Sequence, residues 1–259
     1  MKKVICLLMT GVLLSMAVMG CGANSKAGNG SSVDSDCLSD GVLTAGTNAE
    51  FPPFEYIGDN GQPDGFDIAL IKEVGNRLGV EVVVENMEFD SLVSAIGSKV
   101  DVAIAAMTVT EERQQTVDFS VPYYSAVQNV LVPKDSTIAT IDDLKGKTIG
   151  CQLGTTGDFL IEDIEGATPQ QYNKAVDAVN DLVNGRLDAV IVDSNPAGVF
   201  AEKFADKINK LDGADFGFEI EEYAIALPKG DKALKEAVDV ALTDIKEDGT
   251  FQKLVDSYM

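Results

Sequence analysis

The chain has 259 residues, 45% apolar and 24% charged, an ordinary globular composition that allows one large domain or two of about 100 to 120 residues each. Its formal net charge of -22 argues against nucleic acid as a partner and against docking on anionic lipid through a basic surface. Histidine is absent, which excludes Ser-His-Asp and Cys-His catalysis and the commonest zinc ligand, and the scattered acids indicate neither a metal site nor a cofactor.

Residues 1–20 have the pattern of an export signal, with two early lysines followed by an apolar run at 4–18. Residues 18–21 (Val-Met-Gly-Cys) resemble the lipobox of bacterial lipoproteins. On that resemblance Cys21 becomes the lipid-bearing N-terminus, acylated with chains such as palmitate, and anchors the protein to a membrane. The alternative is simple secretion with cleavage nearby. Residues 21–40 are small and polar, which predicts a flexible tether.

The other cysteines give no sign of a disulfide framework. Cys6 would leave with the signal, and nothing in the sequence brings Cys37 and Cys151 together. No structural disulfide is expected.

Beyond the tether, predicted strands alternate with predicted helices, which favours a parallel sheet covered by helices. The strands are predicted at Val42–Thr47, 81–85, 102–106, 126–133, Thr148–Gln152, 189–193 and 223–227. The helices are predicted after Gly65 up to Gly79, around Leu92–Ile96, from the turn 154–158, around Ala175–Val183, around Leu234–Ile245 and from Thr250.

A repeat divides this pattern. Residues 95–106 lie alongside residues 182–193: each is a helix end, a glycine-containing turn, a basic residue, an apolar residue, an aspartate and a buried strand. Two α/β lobes that present their strand ends to a shared cleft would explain the repeat. Chance similarity between two ordinary helix-turn-strand units is the alternative.

Arg113 is the sharpest candidate for a ligand contact. The chain has only three arginines; Arg77 falls in the last turn of a predicted helix, and Arg186 in a turn before a strand. Arg113 follows the strand predicted at 102–106, and a guanidinium can hold a carboxylate with two parallel hydrogen bonds. A solvated arginine paired with a neighbouring glutamate is the alternative.

Other groups at predicted strand ends complete a chemical set. The turn 154–157 opens a helix and offers backbone N–H groups to the same anion, and Asp193 offers an anion to an ammonium. Phe51 and Phe89 offer apolar faces, or are ordinary core aromatics. A molecule with an ammonium and a carboxylate on one carbon fits this set, and that molecule is an α-amino acid.

The motifs resemble family 3 of the bacterial extracellular solute-binding proteins, the amino-acid-binding components of ABC importers. They run in family order from about residue 41 to the end of the chain. They are GTNAEFPPFEY, GFDIALIKEVGNRLG, AAMTVTEERQQTVDFSVPYY, GCQLGTTGDF, GRLDAVIVDS and KEDGTFQKL.

The resemblance implies a role for individual residues. Arg113 would grip the ligand α-carboxylate with Thr108, a backbone group at Ala106 and Thr156, and Asp193 would take the α-amino group. Phe51 and Phe89 would sandwich the ligand side chain, and Gln152 would face it.

Two residues depart from the family pattern. Asn48 stands where several relatives have an aspartate, and Ala106 stands where glycine or serine is common; both keep their backbone roles possible. A cationic side chain thereby loses one partner, although Glu50 could replace it by pointing inward. The ligand is therefore expected to be a polar amino acid, neutral or basic.

The implied fold class is α/β, with two doubly wound lobes joined by a two-strand hinge, as in periplasmic binding proteins of type II. Lobe one would comprise residues 41–126 plus 224–259, and lobe two residues 127–223. The chain would cross near 123–127 and 221–225. The expected protein is a monomer that binds an L-amino acid outside the cytoplasm and delivers it to an ABC transporter permease.

Two other classes of function stay open at this point. A dehydratase-type enzyme on the same fold would need an acid-base pair in the cleft, for which Glu50 and Asp193 are candidates. A ligand-sensing receptor domain would need a membrane partner, and the sequence offers neither a transmembrane helix nor an attached signalling domain for it.

Overall fold

A computed structural model of the chain describes residues 35–259. The predicted signal peptide, most of the tether and Cys21 lie outside the described residues. Three apolar clusters form the core, and they draw on residues from Cys37 to Tyr258. Among residues 35–259, no helix is long and apolar enough to cross a membrane.

The first part of the described chain runs from a 3-10 turn to the seventh strand. Its elements are the 3-10 turn Asp36–Leu38, β1 (Val42–Thr47), β2 (Glu50–Phe51), β3 (Glu55–Ile57), β4 (Pro63–Asp64), α1 (Phe66–Leu78), β5 (Glu81–Asn86), the 3-10 turn Phe89–Ser91, α2 (Leu92–Ala95), β6 (Val102–Ala103), α3 (Glu111–Thr116) and β7 (Val117–Phe119).

The second part contains the longest strand and the C-terminal helices. Its elements are β8 (Tyr124–Pro133), the 3-10 turn Ile141–Leu144, β9 (Thr148–Gln152), α4 (Thr156–Glu162), β10 (Thr168–Tyr172), α5 (Ala175–Val183), β11 (Ala189–Asp193), α6 (Ser194–Lys203), β12 (Ile208–Leu211), the 3-10 turn Gly213–Phe216, β13 (Ile220–Tyr223), β14 (Ala226–Pro228), α7 (Lys232–Glu247) and α8 (Thr250–Tyr258).

Two sheets give the molecule two lobes. The first has the strand order β5-β1-β6-β14-β7, and the second has the order β10-β9-β11-β8-β12. The predicted parallel pairing holds for β1 with β5 and β6, and for β9 with β10 and β11. β14 and β8 run antiparallel to their neighbours, so both sheets are mixed rather than purely parallel.

The chain passes between the sheets along two paired strands. It leaves the first sheet after β7, enters the second in β8, and returns from β13 to β14. The first residues of β8 pair antiparallel with β13, Tyr124 opposite Tyr223 and Val127 opposite Ile220. This two-strand connection comprises residues 124–127 of β8 and 220–223 of β13.

Amphipathic helices bury their apolar faces in the first lobe. The apolar face predicted for α1 is buried, with Leu70, Ile71 and Val74 fully inside. Gly79 ends the helix with a left-handed backbone (φ 73°), a conformation that only glycine adopts without strain. The helix packs against α7 and α8.

The predicted repeat corresponds to a shared hydrogen-bonding pattern. In the first lobe, Asp101 Oδ2 accepts from the backbone N–H of Thr44 at 2.7 Å. In the second, Asp188 Oδ2 accepts from the N–H of Thr148 at 2.8 Å. In each lobe the aspartate before a buried strand fixes that strand beside its parallel neighbour, which explains why both turns contain an aspartate at the same place.

Two predictions of strand bounds were wrong. The strand predicted at 102–106 ends at Ala103, because Ala106 adopts a left-handed backbone (φ 46°) and its N–H donates to Asp67 rather than to a neighbouring strand. The strand predicted at 223–227 is two strands, β13 and β14, separated at the lobe connection. The short helix α3, which carries Arg113, was not predicted.

Candidate functional site

One cavity collects the residues that the sequence predicted as ligand contacts. It comprises about 300 Å³ of space between atoms, part of which is open to solvent, and it lies where the ends of β1, β9 and β11 approach one another. Its lining residues are Asn48, Phe51, Glu55, Phe89, Ala105, Ala106, Thr108, Arg113, Gln152, Thr155, Thr156 and Asp193. All nine predicted contacts are among them, while Glu55, Ala105 and Thr155 were not predicted.

Arg113 supplies a buried positive charge. Thr110 caps helix α3 by accepting from the Arg113 N–H at 3.1 Å, which places the side chain over the cavity, where only 8% of the residue is exposed. The guanidinium donates from Nη1 to Thr108 O at 2.6 Å and from Nη2 to Gly154 O at 2.9 Å. Its carbon lies 5.3 Å from the centre of the Phe89 ring, a cation–π distance.

Arg113 lacks the partner that the other two arginines have. Arg77 and Arg186 form ion pairs with nearby carboxylates, whereas no carboxylate in the described part of the chain pairs with Arg113. Burial lowers the pKa of its guanidinium, because desolvation disfavours the charged form. The nearby charges of Glu221 and Asp193 oppose this lowering without forming an ion pair, so an anionic ligand bonded to the guanidinium would stabilise the site.

Asp193 supplies a negative charge at the C-terminal end of β11. It is 6% exposed, and its Oδ1 accepts from the Tyr223 hydroxyl at 2.6 Å. Burial, followed by the nearby charge of Glu221, raises the pKa of Asp193 to about 7. An ammonium placed beside it would reverse that effect, because an adjacent cation favours the carboxylate.

Glu221 gives the two threonines a partner that the sequence did not predict. Its Oε2 accepts from Thr108 Oγ1 at 2.6 Å and from Thr156 Oγ1 at 2.7 Å. A hydroxyl has one proton to donate, so in this state both threonines present lone pairs to any further neighbour. Glu221 lies on β13. It accepts hydrogen bonds from Thr108 on one side of the cavity and from Thr156 on the other, and so links the two sides.

Further contacts cross the cavity. Gln152 Nε2 donates to Asn48 Oδ1 at 2.8 Å, so these two predicted contacts bind each other. Lys174, which caps helix α5, forms an ion pair with Glu50 on β2 at 2.5 Å. The hydrogen bond therefore crosses the cavity, and the ion pair joins the two sides beside it.

Glu50 does not point into the cavity. It lines a neighbouring surface pocket together with Lys174 and Asn86, outside the cavity that holds Asp193. The suggestion that Glu50 replaces an aspartate toward a cationic ligand was wrong, and so was the pairing of Glu50 with Asp193 as a catalytic acid and base. The two-residue strand β2 alternates its side chains, so Phe51 faces inward when Glu50 faces out.

Aromatic residues form one wall. Phe51 stacks on Phe54, with ring centres 6.4 Å apart, and Phe54 packs edge-on against Tyr124 and Tyr223 at the lobe connection. Phe89 comes from the 3-10 turn after β5 and contacts the Arg113 guanidinium. Both predicted phenylalanines thus lie at the cavity.

Glu55 is the acidic residue that the sequence analysis missed. It is 1% exposed, lies on β3, and was quoted within the motif GTNAEFPPFEY without being singled out. Its neighbour in space is Asp67 at the start of α1, which is fully buried and accepts from the Ala106 N–H and the Tyr123 hydroxyl, each at 2.7 Å.

No metal site emerges in the described part of the chain: residues 35–259 contain no group of three or more metal-ligating side chains arranged to hold an ion.

Comparisons with known proteins identify the family of the chain. The family model described as bacterial extracellular solute-binding proteins, family 3, matches residues 43–259. The chain is 34% identical over 222 residues to the L-cystine-binding protein TcyJ of Escherichia coli (strain K12), covering 84% of this chain and 82% of the relative. It is 38% identical over 228 residues to ABC transporter arginine-binding protein 1 of the same strain, covering 83% and 90%.

A solved structure agrees as well. The P235GK mutant of ArgBP from T. maritima superposes with a TM-score of 0.80 at 39% identity, covering 86% of this chain and 96% of that one. The chain belongs to the bacterial extracellular solute-binding proteins of family 3.

Proposed function

We propose that the protein binds an L-α-amino acid in this cavity, outside the cytoplasm, and delivers it to the permease of an ABC importer. The observation that carries the proposal is the pair of buried, oppositely charged groups, Arg113 and Asp193, in one cavity. Neither forms an ion pair with another residue of the described chain.

The charges of an amino acid complement these groups. Its carboxylate replaces the counter-ion that Arg113 lacks, and the planar guanidinium retains N–H donors beyond the two bound to Thr108 O and Gly154 O. Its ammonium supplies a cation to Asp193, whose Oδ1 is already held by Tyr223. Burying each charge beside its partner offsets the desolvation that each charge alone would suffer.

Lobe closure completes the binding cycle. The lobes would comprise residues 41–126 plus 224–259 and residues 127–223, and the paired strands β8 and β13 would serve as the hinge. Support comes from the composition of the two sheets, which follows this division, and from the contacts that join Arg113 to Gly154 and Gln152 to Asn48 across the cavity. The permease would then recognise the closed form.

Attachment to the membrane is the other part of the proposal. Lipid on Cys21 would hold the protein at the outer face of the cell membrane, with residues 21–40 as the tether, and the protein would act as a monomer. The curated relatives named above are binding proteins by their descriptions, and we propose binding without turnover here.

Thermal unfolding of residues 32–259, which contain the whole described core, tests the proposal. Each of the twenty L-amino acids and their common derivatives, L-cystine included, is added in turn. A ligand at about a hundred times its Kd stabilises the folded state by about 2.7 kcal/mol, a clear rise in Tm. We expect one or a few hits, absent with the D-enantiomers and reduced in Arg113→Ala. A uniform lack of shifts would contradict the amino-acid proposal.

A further inference from the structure

Glu221 joins Thr108 and Thr156 through a single oxygen atom. The two hydroxyls donate to Glu221 Oε2 at 2.6 Å and 2.7 Å. Hydroxyl bonds to an ionised carboxylate are typically about 2.5 to 2.7 Å long and roughly twice as strong as bonds between neutral groups. Glu221 forms no ion pair with a lysine or arginine among residues 35–259, so the two hydroxyls are its nearest partners.

A fourth residue fixes the direction of the bond from Thr156. Gln128 on β8 donates from Nε2 to Thr156 Oγ1 at 3.1 Å. The same nitrogen lies 3.5 Å from Glu221 Oε2, which favours this orientation of the amide. Because an amide N–H cannot accept, the Thr156 hydroxyl accepts from Gln128 and donates its one proton to Glu221.

Glu221 reaches the two threonines from outside the ligand cavity. Thr108 and Thr156 line the cavity, and they also line a groove at the protein surface. Glu221 lines this groove, together with the exposed side chains of Phe159 and Ile220, but it does not line the cavity. A ligand would therefore meet the threonines from one side while Glu221 holds them from the other, so binding does not require the carboxylate to leave.

The two bonds of Glu221 differ in how they respond to movement of the lobes. Thr108 lies in a segment that pairs with β13, where the Val109 N–H donates to Glu222 O at 2.9 Å. Thr108 and Glu221 are thus held on one piece of backbone. Thr156 begins α4, which contacts β9, β10 and β11 of the second sheet. The bond from Thr156 is therefore the one that separation of the lobes would break.

Resting on the proposed function, we propose that Glu221 is a positioning residue that clasps the cavity: from the hinge strand β13 it holds Thr156 of the second lobe beside Thr108 of the first. The clasp consists of protein groups alone, so it can form before a ligand binds and stabilises the closed form with or without one. Because the fraction of molecules already closed sets the apparent affinity, Glu221 raises ligand affinity without contacting the ligand.

Loss of the clasp should shift the equilibrium between the closed and open forms rather than abolish closure. Other contacts also join the two sides, among them the bond from Arg113 to Gly154 O and the bond from Gln152 to Asn48. Removing a hydrogen bond to a charged group changes such an equilibrium by about tenfold or more. The Kd for an amino acid should rise by up to the same factor.

A distance between the two sides of the cavity measures the clasp without any ligand. Residues 32–259 are prepared with Cys37→Ser, and spin labels are attached at Ser94→Cys and Asp177→Cys, two exposed positions on α2 and α5. Cys151 is buried and does not take the label. Double electron–electron resonance then gives the distribution of distances. We expect a short, closed distance in this parent protein and a gain of about tenfold in the ratio of long to short distances in Glu221→Gln.

Two further variants separate the clasp from a general effect of charge or packing. Glu222→Gln is the matched control, because it removes the same charge from an exposed side chain one residue along β13, and it should keep the parent distribution. Thr156→Val should open the protein at least as far as Glu221→Gln does. The double variant should open no further than Thr156→Val alone, because both changes act on one bond.

Three results would overturn the inference. The first is an absence of the short distance in the parent protein without ligand, a result that does not depend on Glu221→Gln folding. The second is an unchanged distribution in Glu221→Gln, and the third is equal opening in Glu222→Gln.

Affinity supplies an independent readout, with the amino acid that raises the Tm most in the thermal screen as the probe. A Kd raised in Glu221→Gln and unchanged in Glu222→Gln supports the clasp. Tighter binding in Glu221→Gln would show that Glu221 competes with the ligand for the threonine protons, and would overturn it. If no amino acid raises the Tm, the proposed function fails, while the distances measured without ligand still decide whether Glu221 holds the cavity closed.

Discussion

The Arg113 guanidinium on α3 donates a 2.9 Å hydrogen bond to the carbonyl oxygen of Gly154, which lies between β9 and α4. Arg113 forms no ion pair with a carboxylate, and it also joins the two sides of the cavity. Gly154 itself has a left-handed backbone (φ 75°), which turns its carbonyl toward the cavity. On the proposed function, capture of an anion by Arg113 would therefore be physically linked to closure of the cavity.

Replacing Arg113 should remove most of the affinity. Arg113→Ala leaves the ligand carboxylate buried without its cation, which costs about 2 to 5 kcal/mol, or about 30-fold or more in Kd. Arg113→Lys should recover only part of this loss, because an ammonium cannot form two parallel hydrogen bonds with a carboxylate. Titration calorimetry with the hit from the thermal screen measures the effect.

The matched control is Arg77→Ala. Arg77 pairs with Glu73 and Asp248 at the protein surface and does not line the cavity, so its loss should leave the Kd within about twofold. Wild-type affinity in Arg113→Ala would contradict the assignment of the carboxylate site.

Asp193 should make the stability of the ligand-free protein depend on pH. Its pKa is raised from 3.8 to about 7 in the folded state, so between these values the folded state holds more protons than the unfolded state. Stability therefore falls as the pH rises from about 4 to about 7, with a limiting slope of about 1.4 kcal/mol per pH unit for one proton. Urea unfolding at a series of pH values measures the slope.

Two variants test whether Asp193 causes this dependence of stability on pH. Asp193→Asn should reduce it, leaving the contributions of Glu55 and Asp67, whose pKa values are also raised by burial. Asp118→Asn should preserve it, because the pKa of that surface carboxyl is lowered by its hydrogen bonds to Lys229 and Gly230. A slope unchanged in Asp193→Asn would show that Asp193 titrates normally.

The cavity residues were predictable where a local motif marks a strand end. Arg113, Asp193 and Phe51 each follow or precede a predicted strand, and that position alone directs them toward the sheet edge at which ligands bind. Misplaced strand ends did not matter, because Ala106 and Thr108 reach the cavity whether or not residues 104–106 belong to a strand.

Pairing between distant residues was not predictable in the same way. Glu55 contacts Asp67, and Glu221 contacts Thr108 and Thr156, through folds of the chain that no local pattern encodes. The direction of the Glu50 side chain was not predictable for a related reason: a two-residue strand gives no periodicity that would identify its inward face. Buried polar contacts depend on tertiary packing, so the structure had to supply them.

The ion pair between Lys174 and Glu50 should contribute modestly to ligand affinity. Both side chains are partly exposed, at 41% and 26%, so solvent screens the attraction, and such pairs contribute about 0 to 1 kcal/mol. Because the pair joins the two sides of the closed cavity, Lys174→Met should raise the Kd by up to about fivefold at low salt, and less at high salt.

Lys145→Met is the control for this effect. Lys145 pairs with Asp142 and Glu165, both within the second lobe region, so its removal should leave the Kd and its salt dependence unchanged. Equal effects of the two lysine variants would indicate a general influence of net charge rather than a contact across the cavity.

Ala106 offers a test of backbone strain at the cavity. It is the one non-glycine residue of the described chain with a positive φ, 46°, and the left-handed region costs an L-residue roughly 1 to 2 kcal/mol. Ala106→Gly relieves this strain, but it also raises the conformational entropy of the unfolded chain. That increase offsets about 0.4 to 1 kcal/mol of the gain in stability. The free energy of unfolding should therefore be unchanged or raised by up to about 1 kcal/mol. The Ala106 N–H should still bind Asp67, and ligand affinity should be preserved.

Ala106→Val should destabilise the protein by about 1 to 3 kcal/mol, because a β-branched residue tolerates positive φ poorly. Urea unfolding of both variants measures the difference, and a marked loss of stability in Ala106→Gly would show that the methyl group packs usefully and that the turn is not strained.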